Sequence, residues 1–203
     1  MNRYLQTPPV VKNLIIANCI IFLAMMLLPR FCLAVEEYGV LYWFGSQQFH
    51  SWQYITYMFL HASWSHLFFN MFALWMFGRT LEYELGSKRF LTYYLVCGVG
   101  AALVQMVVAW VTGEYHIQLL GASGAVMGLL LAFGVMHPNS VIVLLIPPIP
   151  MKAKYFVIGY AVLELFCGWR GSQSGVAHFA HVGGMLWGWL MLWYWKRKGE
   201  IYY

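Results

Sequence analysis

From Phe90 to Val111 the chain runs without one charged side chain, and stretches of similar character recur along the rest of it. Nothing constrains a fold more. A hydrocarbon core about 30 Å thick is crossed by a helix of about 20 apolar residues, and a chain in lipid must satisfy its own backbone hydrogen bonds. Only 9% of the residues are charged and 62% are apolar or aromatic, where soluble domains carry about a quarter charged. The mean hydropathy is +0.64. A length of 203 residues accommodates one bundle of about six spans and no second domain. The expected fold is therefore an all-α, six-transmembrane-helix bundle filling residues 1–203.

Punctuation places the elements. Thr7-Pro8-Pro9 reads as an N-cap with proline in the first turn, and helix 1 continues to Leu28, stopping near Pro29-Arg30. Residues 31–62 are too broken to span, and their Trp, Tyr and Phe side chains suit the headgroup interface. Helix 2 takes Ser63 as its N-cap and turns polar after Phe77, within a segment bounded at 63–85. Helix 3 follows from Phe90 to Val111, then helix 4 over 121–137, ended by Pro138. Pro147, Pro148 and Pro150 make residues 141–150 a loop pressed against the bundle. Helix 5 runs from Lys152 to Cys167 and helix 6 from Gly175 to Trp195.

Basic residues set the orientation. With the N-terminus inside, Arg3, Lys12, Arg79, Lys88, Arg89, Lys152, Lys154, Lys196, Arg197 and Lys198 lie on inner segments, against Arg30 and Arg170 outside, which accounts for all 12 Lys and Arg. Both termini are then cytoplasmic, and the expected location is a plasma (inner) membrane of bacterial type. Spread in this way, the net charge of +5 argues for a lipid bilayer as partner and against nucleic acid. Cys19, Cys32, Cys97 and Cys167 stand singly, so no disulfide framework or zinc knuckle is indicated. The first apolar stretch lacks a convincing cleavage site and reads as a retained helix.

In this topology helices 2, 4 and 6 all run from outside to inside, so residues early in each share the outer third of the membrane. Helix 2 opens with His61, His66 and Asn70, the last two spaced i, i+4 on one face. Helix 4 opens with Gly121-Ala122-Ser123-Gly124. Helix 6 carries His178, His181, Gly183, Gly184 and Gly188, with His181 roughly 9 Å below the helix start. Polar and ionisable groups at such depth are costly, and function is their default reading. Gly124-x-x-x-Gly128 and Gly184-x-x-x-Gly188 let helices 4 and 6 approach closely, which by itself is also an ordinary packing seam. Chemically, Ser123 as nucleophile and His181 as general base suffice for acyl transfer, with the Ser123 N–H, Asn70 and His66 as oxyanion donors. The sequence holds no aspartate, so a serine–histidine site here uses one of its seven glutamates or no acid at all. The expectation is a two-residue dyad, its histidine oriented by packing and hydrogen bonds.

These motifs resemble the rhomboid family of intramembrane serine proteases: Gly121-Ala-Ser123-Gly124, His66-x-x-x-Asn70, and Ala180-His181-x-x-Gly184 with Gly188, in order on helices 2, 4 and 6. The resemblance implies a Ser123–His181 dyad without cofactor or metal. It implies an oxyanion site at His66 and Asn70, and cleavage of single-span membrane proteins near the outer face. His61 resembles a structural histidine and Glu82 a supporting glutamate. Two positions depart from the family pattern: Gln53 follows Trp52 where an arginine is frequent, and Met127 stands where an aromatic is frequent. Three alternatives remain at this point. One is a catalytically silent rhomboid-like binding protein. A histidine-metal enzyme using His61, His66, His178 and His181 lacks any HExxH, and a transporter lacks an inverted repeat. The sequence does not fix an oligomeric state.

Overall fold

The computed structural model describes residues 6–143, 148–170 and 177–202. Arg3, Pro147 and the expected start of helix 6 at Gly175 lie outside them. The described chain is mostly helical. Helix α1 is Pro9–Leu27, α2 Pro29–Tyr38 and α3 Gln53–Thr56, which runs into a 3-10 turn at Tyr57–Phe59. Helices α4 (Trp64–Leu85), α5 (Ser87–Thr112), α6 (Ser123–Met136), α7 (Ala153–Trp169) and α8 (His178–Arg197) complete the framework. Two short antiparallel pairs join loops: β1 (Leu41–Tyr42) with β2 (Gln118–Leu119), and β3 (Val141–Val143) with β4 (Pro150–Lys152).

Among the described residues two helices, α1 and α5, are long and apolar enough to cross a membrane on length and composition alone, and α6 is apolar but shorter. The helix surfaces are those of a membrane protein. Ile16, Ile20, Leu23 and Leu27 of α1 are exposed, as are Ile158, Val162, Leu165 and Phe166 of α7. In water such faces would be liabilities; in lipid they are the natural outer surface.

Several boundaries differ from the sequence reading. Helix α1 is capped at Pro8 and not at Thr7. The chain does not stay irregular after Pro29, because a proline at the first helical position lacks only an N–H that would have gone unused, and α2 begins there. Helix α4 stays helical through Arg79, Glu82 and Glu84 to Leu85, the far bound of the segment expected for helix 2, although its sequence turns polar after Phe77. Glycine supplies the stop: Gly86 takes φ +77°, open to a residue without Cβ, and α5 starts at once. The expected loop at 141–150 is in part a hairpin, with Val141 opposite Lys152.

Two anchors fix the ends of the bundle. The Glu82 carboxylate, buried at 2% exposure, accepts hydrogen bonds from Val10 N (3.0 Å), Val11 N (2.8 Å) and Ser87 Oγ (2.6 Å). An acceptor anion there satisfies donors that the first turn of α1 leaves without helical partners. In the first loop Gln53 is fully buried; its Oε1 accepts from His50 N and Tyr42 N while its Nε2 donates to Gln48 O. A glutamine thus anchors this loop by acting as donor and acceptor together.

The centre of the molecule is the packing of α5, α6 and α8. Gly184 lies on the backbone of Gly124, and a Cβ built on it would overlap the Gly124 carbonyl. Gly128 faces Cys97 and the Gly184 carbonyl, and Gly100 receives the Trp187 ring. Absent side chains therefore set the approach of α6 to α8, as the two glycine pairs foretold.

Candidate active site

The first turns of α4, α6 and α8 converge on one cavity of about 680 Å³, whose lining includes His66, Asn70, Gly121, Ser123, Met127 and His181. The sequence reading named all six. Ser123 is the first residue of α6, and no side chain on the adjoining Ala122, Gly124 or Gly121 shields it. His181 occupies the first turn of α8 with 8% of its surface exposed. Its Nε2 lies 2.8 Å from Ser123 Oγ, although 58 positions separate the two residues in the chain.

Helix α4 begins as expected, with the Ser63 hydroxyl accepting from His66 N at 3.2 Å. Asn70 Nδ2 donates one hydrogen to the His66 carbonyl at 2.9 Å, and its second hydrogen is free for another acceptor. The Ala62 N–H approaches His66 Nδ1 at 3.5 Å, a long contact that favours carrying the ring proton on Nε2. That Nε2 faces Gly121, where a Cβ would come within 2.7 Å of it. Gly121 also has φ +121° and donates its N–H to the Tyr57 carbonyl at 2.9 Å, so its backbone serves the turn into α6. His61 lies beneath, its ring edge-on to His66 with centroids 5.0 Å apart.

One residue at this site escaped the sequence reading. Glu164 projects from α7 with its carboxylate between two imidazoles: Oε2 lies 2.7 Å from His178 Nδ1 and Oε1 lies 3.1 Å from His181 Nδ1. The expectation of a histidine without an acidic neighbour is thereby corrected. A signal was present, since Glu164 is the one charged residue between Lys154 and Arg170 in an otherwise apolar helix. Gly184 and Gly188 line no chemistry; they form the α8 side of the close packing, with Gly188 against the Tyr93 hydroxyl. Among the described residues, no group of three or more His, Cys, Asp or Glu is arranged to hold a metal ion.

Fold and surface together define a helical membrane protein with a serine–histidine pair at the floor of a cavity. Residues 48–198 match the family described as Rhomboid domain, and the chain belongs to the rhomboid family. It is 31% identical over 148 residues to the Rhomboid protease AarA of Providencia stuartii, covering 66% of this chain and 52% of that protein. Similarity to the chloroplastic Rhomboid-like protein 11 of Arabidopsis thaliana is 33% over 159 residues, 71% of this chain and 53% of the relative. For the mitochondrial Rhomboid protein 1 of Saccharomyces cerevisiae it is 32% over 147 residues, 70% and 41%. The matched region thus spans about half the length of these relatives or less.

Proposed function

We propose that this chain is an intramembrane serine endopeptidase that hydrolyses peptide bonds in single-span membrane proteins. The observation that carries this reading is the 2.8 Å contact between His181 Nε2 and Ser123 Oγ inside a cavity that His66 and Asn70 also line, among apolar helices. His181 takes the Ser123 proton as the oxygen attacks the scissile carbonyl, and returns it to the leaving amine. The tetrahedral oxyanion is met by the Ser123 backbone N–H at the start of α6, the spare Asn70 hydrogen and His66 Nε2–H, each such donor contributing on the order of 10²–10³ in rate. Water entering the cavity then releases the acyl group from Ser123. No cofactor or metal enters this scheme.

The membrane arrangement belongs to the same proposal: α1, α4, α5, α6, α7 and α8 are six spans with both termini on the inner side, in a bacterial-type plasma membrane. The ten inner and two outer basic residues support it, 12 in all. Helix α6 has 14 residues, about 21 Å, against about 30 Å of hydrocarbon. With its C-terminal end at the inner boundary, Ser123 sits about 9 Å below the outer one, by the same dimensions. A substrate helix hides its carbonyls in hydrogen bonds, so cleavable segments carry helix-weakening residues near their outer end and a small residue at the scissile bond. The test is cleavage of a reconstituted single-span substrate by purified protein. Ser123→Ala is expected to abolish turnover with folding intact; cleavage that persists at the original rate would overturn the assignment.

A further inference from the structure

We propose that Glu164 is a positioning residue for His181, so that the site works as serine, histidine and glutamate and not as a dyad; this rests on the protease reading above. The carboxylate is 6% exposed; Oε2 is hydrogen-bonded to His178 Nδ1, and Oε1 lies 3.1 Å from His181 Nδ1. An ionised carboxylate only accepts hydrogen bonds, so it favours the form of each facing imidazole that carries its proton on Nδ1. For His181 that is the tautomer leaving a lone pair on Nε2, the atom beside Ser123 Oγ. With the opposite tautomer, Nε2 would present a proton to the serine and could not act as its base. When the imidazolium forms during attack, the same carboxylate is the nearest countercharge, in surroundings that screen weakly.

The groups facing His181 are His66 from α4, Ser123 from α6, Tyr160 and Glu164 from α7, and His178 on its own helix. Glu164 alone among these is an acid able to bear negative charge near neutral pH. At 3.1 Å its oxygen is within ion-pair reach of Nδ1 while lying off a hydrogen-bonding angle. A small rotation of the imidazole closes that bond, as resting sites commonly tighten once substrate is bound. His178 keeps the carboxylate aimed in the meantime. Helix α7 buries Ala153, Val157 and Glu164, with Phe156, Tyr160 and Ala161 partly buried beside them, and this fork is a polar tie to α8.

The experiment compares the full chain with Glu164→Gln and Glu164→Asp in lipid nanodiscs. It reads cleavage kinetics, labelling rate with a fluorophosphonate, and the ring ¹⁵N shifts of His181 at one fixed neutral pH. Glu164→Gln should lower kcat and the labelling rate by about 10- to 100-fold with KM within about twofold. It should also move Nδ1 from the protonated shift toward a tautomer mixture, while Glu164→Asp restores part of both. Wild-type labelling and unchanged ¹⁵N shifts in Glu164→Gln would overturn the proposal. If Glu164→Gln fails to fold, the wild-type spectrum decides: an unprotonated Nδ1 overturns it and a protonated one supports it. Should the wild type neither cleave nor label, the protease reading fails by itself, and the tautomer comparison still decides what Glu164 does to His181.

Discussion

At Gly121 the backbone does what no other residue would do there. Its φ of +121° is a strained conformation for any side chain, at about 1–3 kcal/mol, and a Cβ would press on His66 Nε2. Gly121→Ala is therefore expected to lower fluorophosphonate labelling by at least tenfold, with a fall in thermal midpoint; labelling at the wild-type rate would show that the turn tolerates a side chain. Ser123, His66, Asn70 and His181 were legible in the sequence because a polar group inside an apolar run has few reasons to persist. Glu164 met the same criterion and was passed over. Whether a residue of α7 points to α8 or to lipid depends on the rotation of that helix. With apolar residues on every side, the sequence carried little to fix that rotation. Gln53 shows a related limit: its side chain anchors the first loop through three backbone partners, and only the positions of those backbones reveal it.

Between elements, glycine placement sets the tolerance to mutation. Gly184→Ala drives a methyl into the Gly124 carbonyl, separating α6 from α8 and costing about 1–3 kcal/mol. Gly159 in α7 has nothing within 4 Å of a built Cβ, so Gly159→Ala should be neutral or stabilising by up to about 1 kcal/mol. Thermal unfolding in detergent compares the pair, and equal effects would contradict the packing described. The glycine pairs on α6 and α8 announced this contact in advance. The hairpin of β3 and β4 was hidden, since its prolines argued against a helix without arguing for a strand, and pairing is settled by the partner strand. The helical form of the charged stretch from Arg79 to Leu85 was less plain, for a different reason. Charged residues look like a loop until Glu82 is seen to cap α1 from inside the helix. Removing that carboxylate by Glu82→Ala leaves the Val10 and Val11 amides unpaired and should lower stability by about 1–3 kcal/mol, measurable by the same unfolding assay.

For the molecule as a whole, apolar helix faces surround a cavity that holds Ser123 and His181, and the proposed orientation rests on the distribution of basic residues. Cysteines introduced at Glu36 and at Lys198 should react with an impermeant maleimide from opposite sides of sealed vesicles, Glu36→Cys from the outer side. Reaction of both from one side would refute the six-span arrangement. The central claim is that Ser123 and His181 are one working pair. Peptide mapping of the fluorophosphonate adduct on the lipid-embedded protein tests it most directly. The account predicts a single adduct on Ser123 that disappears in His181→Ala; an adduct on another residue, or an undiminished one without the imidazole, would contradict it.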